Sequence, residues 1–470
     1  MADTTKQTNP RLGEHAIVIG ASLAGLFAAR VLSDFYGRVT VIERDELPAL
    51  GATRRAVPQG RHAHPLHAGG QRAIKQLFPG IVDDVITAGG LPYRAGPDLR
   101  YTASGHRLPQ LDSKAKFAIA RRPLLEGVVL QRVRELPNVE IRERCGVVGL
   151  VSDRGRVAGV RTRDVVRNSL ECTLRADLVV AASGRGGRVP AWLLSLGFEP
   201  PAEERVAVDV LYVSRRLRLQ PGALAGAKLI ADDARADRPR GMFMAKEDDG
   251  DRWTLTLQGY GREHRPPTDD AGFNAFLATV ADPDVVAAVQ QAEPLGEIAS
   301  HAFPAGLRRR YEKLRRFPEG LLVIGDALCS FNPVHGQGMS VAALEAMALW
   351  NCLRDGEHRL ARRYFKAATV PVDHAWKLAK RSDLAKPYVT GPATPADRLF
   401  GRYLQRVLAV AEHDDVVARA FAMVVGMMSP PKRIMAPAIA RRVLRPGATR
   451  GRALAPAPGV VAGSEAPANA

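Results

Sequence analysis

Three stretches of this chain carry residue types at spacings that can do chemistry. The first is Gly20-Ala21-Ser22-Leu23-Ala24-Gly25. It follows the apolar run Ala16-Ile17-Val18-Ile19 and opens a helical pattern reaching about Leu32. Val39-Thr40-Val41-Ile42 then ends in Glu43-Arg44. Strand, tight turn, helix and strand in that order form the βαβ unit that a dinucleotide requires. Gly20 permits the turn, and Gly25 lets the helix lie close to the strand. The helix start at Leu23 and Ala24 offers backbone N–H groups and a positive dipole end to a pyrophosphate. Glu43 can accept hydrogen bonds from a ribose hydroxyl. Ser22 replaces the middle glycine of G-x-G-x-x-G and is small enough to let phosphates approach.

The second stretch is Gly325-Asp326, which ends the apolar run Leu321-Leu322-Val323-Ile324. An aspartate at a strand end can bind a ribose or ribityl hydroxyl. Asn332-Pro333-Val334-His335-Gly336-Gln337-Gly338 follows and leads into a helical pattern from Met339 to Leu353. Pro333 fixes the turn, while Gly336, Gly338 and Met339 open a second helix N-terminus toward an anionic ring. The third stretch runs from Arg54 to His67, rich in arginine and histidine and broken by Pro and Gly. Arg55 or Arg61 can meet an anionic cofactor there. His62, His64 and His67 find no further ligand partners in sequence, so no metal is expected. Arg122, just ahead of a helix opened by Pro123, can reach a phosphate.

These stretches need elements to hold them. At 470 residues the chain is long enough for two or three domains, and its 46% hydrophobic content is that of a globular protein. The first eleven residues are polar, and no apolar run approaches membrane-spanning length. The four cysteines form no C-x-x-C, which fits a reducing cytoplasm. The net charge of +18 is spread along the whole chain without a nucleic-acid-binding pattern, so no nucleic-acid partner is expected. Residues 138–182 read as a β meander ending in a buried strand, Asp177 to Ala182, and the close turn Ser183-Gly184-Arg185-Gly186-Gly187. From Arg252 to Gln258, Trp253, Leu255 and Leu257 alternate with polar residues, as in an antiparallel strand with one wet face. Met242 to Met244 reads as its neighbour, and residues 268–291 as two helices split at Asp282-Pro283.

The expected fold is α/β: a Rossmann-like cofactor domain at 13–190 and 297–385, interrupted by an antiparallel substrate domain at 191–296. Residues 91–114 are candidates to join the latter. Helices follow over 386–445, and a disordered Ala, Pro and Gly-rich tail over 446–470. The last helix, Lys432 to Leu444, carries Arg441, Arg442 and apolar neighbours. It reads first as a lid on the substrate domain and second as a peripheral contact with a membrane surface.

With these motifs in order, the chain resembles the class A flavoprotein monooxygenases, the para-hydroxybenzoate hydroxylase fold, over roughly residues 13–387. Within that group, Val57 to His64 and Phe331 to Ser340 look like the polyene epoxidases of polyether pathways. The resemblance implies FAD as the bound cofactor, NADPH or NADH as reductant, and O2 as co-substrate. It implies a flavin C4a-hydroperoxide that passes one oxygen atom to an apolar small molecule, with alkene epoxidation in secondary metabolism as the first reading. Aromatic hydroxylation and reduction of isoprenoid double bonds are the alternatives within the fold. A basic binding protein for nucleic acid or membranes is the alternative outside it. No catalytic side chain is required, because the flavin carries the chemistry. A dry pocket is required, and Met242, Met244, Trp253, Leu255 and Leu257 are the expected wall. Two departures stand out. The group's Asp-Gly pair is missing at Ala182-Ser183-Gly184, and the tryptophans form no W-x-W-x-I-P segment such as a flavin halogenase would carry. No feature of the sequence sets an oligomeric state.

Overall fold

The structure is a computed structural model, and it describes residues 11–52, 60, 62, 66–112, 116–165, 170–248 and 250–447. Arg55, Arg61, His64 and the tail from 448 onward lie outside the described residues.

The apolar runs become a five-stranded parallel sheet. Its order is Leu321–Val323, Leu178–Ala181, Gly13–Ile19, Tyr36–Ile42 and Val139–Arg142. Ala16, Ile17, Val18 and Ile19 are all buried, as strands covered on both faces require. The register aligns Ile19 with Ile42 and with Ala181, and Ala181 with Val323. The residues that follow, Gly20, Glu43, Ala182 and Ile324, therefore emerge together at one carboxyl edge. Ligands of open parallel sheets bind at that edge. Helix Leu23–Leu32 packs between helices Gly338–Arg354 and Arg122–Arg134 beside the sheet.

A second sheet stands beside the first. Its path runs Cys329–Ser330, Ala299–Arg309, Glu203–Arg218, Arg252–Tyr260, Arg240–Lys246, Leu229–Asp232, Leu99–Ala103 and His106–Arg107. Ala299–Arg309 pairs along the long strand Glu203–Arg218, so this sheet extends past residue 296. One of its pairs is parallel, between Leu229–Asp232 and Leu99–Ala103, because the chain reaches that edge from an earlier excursion. Leu91–Arg94 instead pairs with Lys116–Ile119 in a separate ribbon. Helices Asp270–Ala278 and Pro283–Gln290 cover one face of the second sheet.

Helix Leu360–Leu384 leads to the C-terminal helices Pro395–Ala411, Asp415–Val425 and Pro437–Leu444. Thr394 and Asp397 form a reciprocal capping box at the first of these three. The single helix expected from Lys432 to Leu444 is instead a 3-10 turn, Pro431–Met435, followed by Pro437–Leu444. Pro437 has no N–H to continue a helix and so begins a new one.

Candidate functional site

The first half of the site is a cleft at the carboxyl edge of the parallel sheet, built mainly from backbone. Gly20 has φ +102°, and a Cβ there would lie 2.6 Å from the Ala182 carbonyl oxygen. A Cβ on Gly25 would lie 1.8 Å from the Gly20 oxygen, so this helix–strand approach admits glycine alone. Glu43 is buried, with Oε2 accepting the Ala21 N–H (2.8 Å) and Oε1 the Asp45 N–H (3.1 Å). It ties the glycine turn to the end of the second strand. Arg122 donates to Ser22 Oγ (3.2 Å) and pairs with Glu126 (3.4 Å), which places its guanidinium at the turn. Arg44 points outward and pairs loosely with Asp45 (3.8 Å).

Asp326 lies across the cleft. A Cβ on Gly338 would stand 3.9 Å from Asp326 Oδ1, so the acid sits beside the second helix start. Its side chain opens into the cleft while protein surrounds the groove. This burial pushes its carboxyl up, and Arg122 and Arg185 oppose the shift. Gly325 has φ +69° and donates its N–H to Glu345 Oε2 (2.7 Å). Pro333 opens the 3-10 turn Pro333–His335, and Gly336 closes it in the left-handed region at φ +61°. Gly338 and Met339 begin the helix.

A dinucleotide flavin fits these residues. Neither helix start is capped by its N-cap side chain, Ser22 or Gln337. Both therefore hold orphan N–H groups for an anionic ligand. Ser183 Oγ and Gln337 Oε1 are buried at the same edge with no partner among the described residues. Ser22 to Gly25 and Arg122 would hold the pyrophosphate, Glu43 a ribose, Asp326 the ribityl chain, and Pro333 to Met339 the ring. Arg185, near enough to Asp326 to act on its charge, joins this set from the turn after Ala181.

The second half is a cavity of about 470 Å³ between the second sheet, helix Ala68–Leu77 and the C-terminal helices. Phe117, Phe243, Leu404, Leu408 and Phe421 give it an apolar wall, and it reaches Val334, His335 and Gln337 on the cofactor loop. Among the five expected wall residues, Met242 lines it. The structure corrects the reading of the rest. Met244, Trp253, Leu255 and Leu257 pack on the opposite face of the sheet, in a core with Phe273, Phe276 and Val285 that Met242 also joins. Apolar and polar residues do take opposite faces of the strand, but neither face is wet: the helices at 270–290 cover the apolar face, and Thr254, Thr256 and Gln258 are buried as well. Thr254 and Gln258 of its polar face look into the cavity.

Polar groups cluster where cavity and cofactor loop meet. Tyr101 donates to Asp233 (2.7 Å), and both line the cavity. Burial pushes Asp233 up, against Tyr101, Lys386 and His335. Behind the wall, Asp383 Oδ1 accepts from His335 Nε2 (2.9 Å), Asn332 Nδ2 (3.0 Å) and Tyr260 OH (3.2 Å). Lys386 Nζ lies 3.9 Å away. Burial pushes the Asp383 carboxyl up, but these neighbours outweigh it and hold the group below its ordinary range. Sequence reasoning missed this cluster because Asp383 and His335 are far apart in the chain. One signal was present. Val372, Ala375, Ala379 and Asp383 share a buried helical stripe, and an acid that continues an apolar stripe requires a partner. Among the described residues, no group of three His, Cys, Asp or Glu could hold a metal.

The parallel sheet, its carboxyl-edge cleft and the attached cavity define the fold of the class A flavin monooxygenases. Residues 14–356 match the family described as FAD binding domain, and the chain belongs to that family. It is 38% identical over 438 residues to Protein Rv3254 of Mycobacterium tuberculosis, covering 89% of this chain and 90% of the relative. Its fold is similar to that of p-nitrophenol 4-monooxygenase PnpA from Pseudomonas putida DLL-E4, at TM-score 0.63 and 16% identity, with 89% of this chain and 99% of that one covered. It is also similar to the flavin-dependent brominase Bmp2, at TM-score 0.63 and 15% identity over 88% and 93% of the two chains.

Proposed function

We propose that this protein is an FAD-dependent monooxygenase that uses NADPH or NADH and O2 to insert one oxygen atom into an apolar small molecule. One observation carries this reading. The apolar cavity, of a size suited to a small molecule, ends on Val334, His335 and Gln337, the same loop that begins the second cofactor helix. Substrate and flavin ring would meet there. FAD, when bound, supplies the oxygen-activating chemistry.

The chain's own part is to bind, orient and exclude water. The uncapped helix starts and Arg122 neutralise the pyrophosphate, and Asp326 and Glu43 orient the cofactor by its hydroxyls. Phe243, Phe421 and the C-terminal helices keep the cavity dry, and dryness protects oxygen transfer from competing loss of hydrogen peroxide. Alkene epoxidation, the first reading of the sequence, removes no proton from its substrate. Hydroxylation of a ring bearing a hydroxyl does, and the acid–base groups at the cavity wall favour that second reading. All four cysteines are unpaired, which supports a reducing cytoplasm as the site of action. Among the described residues, no helix is long and apolar enough to cross a membrane.

The test is the visible spectrum of the purified protein, followed by NADPH oxidation under air with a panel of polyenes, terpenoids and phenols. A flavin spectrum and a product heavier by one oxygen support the proposal. Turnover without O2 would make the protein a reductase. A colourless protein that takes up no FAD and binds DNA with steep salt dependence would overturn it.

A further inference from the structure

We propose that the mouth of the cavity is a docking face for an anionic lipid bilayer, and that the apolar molecule enters the cavity from the bilayer rather than from water. This rests on the reading of the cavity as the substrate site, and it makes that molecule one that dissolves in lipid.

Exposure locates the mouth. Among the described residues that line the cavity, Asp112, Arg419, Ala422 and Met423 are the exposed ones, and the others are buried or half-buried. Three of these four lie on helix Asp415–Val425, and Arg419 Nη1 reaches from it to the Asp112 carbonyl (3.4 Å). The cavity therefore opens along this helix. Val416, Arg419 and Met423 recur at spacings of three and four and form one stripe. Val417, Phe421 and Val424, on the opposite face, are buried in a core.

The surface around the mouth is both apolar and basic. Five of the eleven large hydrophobic side chains that are exposed among the described residues, Leu399, Val416, Met423, Met435 and Leu444, fall between 395 and 444, so they are concentrated in the C-terminal helices. From Arg419 to Gly447 the chain carries Arg419, Lys432, Arg433, Arg441, Arg442 and Arg445 and no acid. Arg442 pairs with Asp414 (2.8 Å), and the other five make no ion pair among the described residues. The segments Pro431–Met435 and Pro437–Leu444 share a core with helix Asp415–Val425 through Ile434, Ile439 and Val443, which sets their cations beside the mouth. Asp112 is the exposed acid at the rim. Asp415, the exposed acid of the helix, stands about 12 Å along its axis from Met423.

Cations alone would suit any acidic partner. Met423, Met435 and Leu444 standing exposed among them select a surface that takes charge and apolar side chains together, as the headgroup boundary of a bilayer does. The cavity favours the same source. A molecule that fits the apolar wall at Phe243, Leu404 and Phe421 partitions into lipid in preference to water, and a mouth resting on the bilayer spares its passage through water. The contact is peripheral, because among the described residues no helix is long and apolar enough to cross a membrane.

The experiment sediments FAD-loaded, full-length protein with vesicles of phosphatidylcholine, with and without about one-third phosphatidylglycerol, at low and high salt. We expect binding at least about tenfold tighter to the anionic vesicles, weakening at high salt. Arg441→Glu combined with Arg445→Glu reverses two exposed charges away from cleft and cavity. It should weaken binding by more than about tenfold while melting and bound flavin stay as in wild type. Met423→Trp puts a fluorescent reporter at the mouth, and brominated lipid should quench it. Leu194→Trp, at an exposed position on helix Val189–Ser195 in the other core, should escape quenching. Equal binding to neutral and anionic vesicles, binding that survives the double reversal, or quenching at position 194 without quenching at 423 would each overturn the docking face. So would the absence of binding to either vesicle, the outcome expected if the basic face meets an acidic protein instead. Sedimentation and quenching need no turnover, so the two readings fail separately. A protein that binds anionic vesicles through position 423 but takes up no FAD would sink the monooxygenase reading and leave the docking face standing.

Discussion

Two buried carboxylates, one in each half of the site, behave in opposite ways. Glu345 lies under the cofactor cleft and is fully buried. It accepts one backbone N–H, from Gly325, and its Oε1 has no partner among the described residues. Burial pushes its carboxyl to about 8, so it is held as the acid. Asp383 lies behind the cavity wall and is as deeply enclosed, but three donors and a lysine surround it and keep it ionised. Solvent exclusion alone gives a neutral structural group. Solvent exclusion with assembled donors gives a charge that can orient a base. The same contrast separates the two halves. The cofactor cleft is made by backbone approach at glycines, whereas the cavity is made by side chains gathered from distant elements.

The largest expected effect falls on the backbone half. In Gly25→Ala the new Cβ would meet the Gly20 oxygen, a backbone atom with no freedom to rotate away. Helix Leu23–Leu32 must then move off the strand. We expect a loss on the order of 4 kcal/mol in stability, with loss of FAD retention, read by thermal melting and bound-flavin absorbance. A variant that melts normally and keeps FAD would show that the cleft tolerates displacement and is less backbone-determined than argued.

This half was legible in the sequence for the same reason. A strand, a glycine turn and a helix are local, and the glycines mark where no side chain fits. The path Gly20 to Glu43 and the loop Pro333 to Gly338 could be read without knowing what packs on them. The cavity could not. Alternation in Arg252 to Gln258 says that the two faces differ but not which face the helices at 270–290 will cover. Asp383 and His335 meet only because helix Leu360–Leu384 returns past the cofactor loop. Residues 91–112 also divide, Leu91–Arg94 into a separate ribbon with Lys116–Ile119 and Leu99–Ala103 into the second sheet beside Leu229–Asp232, a choice set by long-range pairing rather than by local pattern.

The assignment of sheet faces predicts a clean separation. Leu255 is fully buried against the helices, and Phe243 lines the cavity. Leu255→Ala should cost about 2–5 kcal/mol of stability with little change in ligand affinity. Phe243→Ala should do the reverse, weakening an apolar ligand more than the fold. Thermal melting alongside titration of the ligand distinguishes them, and equal behaviour of the two variants would return Leu255 to the cavity wall.

Glu345→Gln sharpens the contrast between the two acids through pH. The folded group keeps its proton up to about 8, while the unfolded group releases it near 4.5. Between those values the native state binds more protons, so wild-type stability falls as pH rises, and the cost is complete above about 8. The amide keeps an acceptor for the Gly325 N–H and cannot ionise. The variant should therefore gain on wild type by a few kcal/mol at pH 9 and by little at pH 5. Parallel stability curves across that range would mean that Glu345 is ionised in the native state, like Asp383.

Arg44→Ala is the smallest and tests whether side chains matter in the cleft at all. The guanidinium is 69% exposed and its ion pair with Asp45 is long, at 3.8 Å. Exposed pairs of this kind contribute little. If the cleft is set by backbone and by Glu43 and Arg122, the variant should melt with wild type and bind FAD within about threefold of it. A larger loss of affinity at unchanged stability would mean that bound FAD draws Arg44 inward, and that this cleft, like the cavity, is completed by a side chain brought to the ligand.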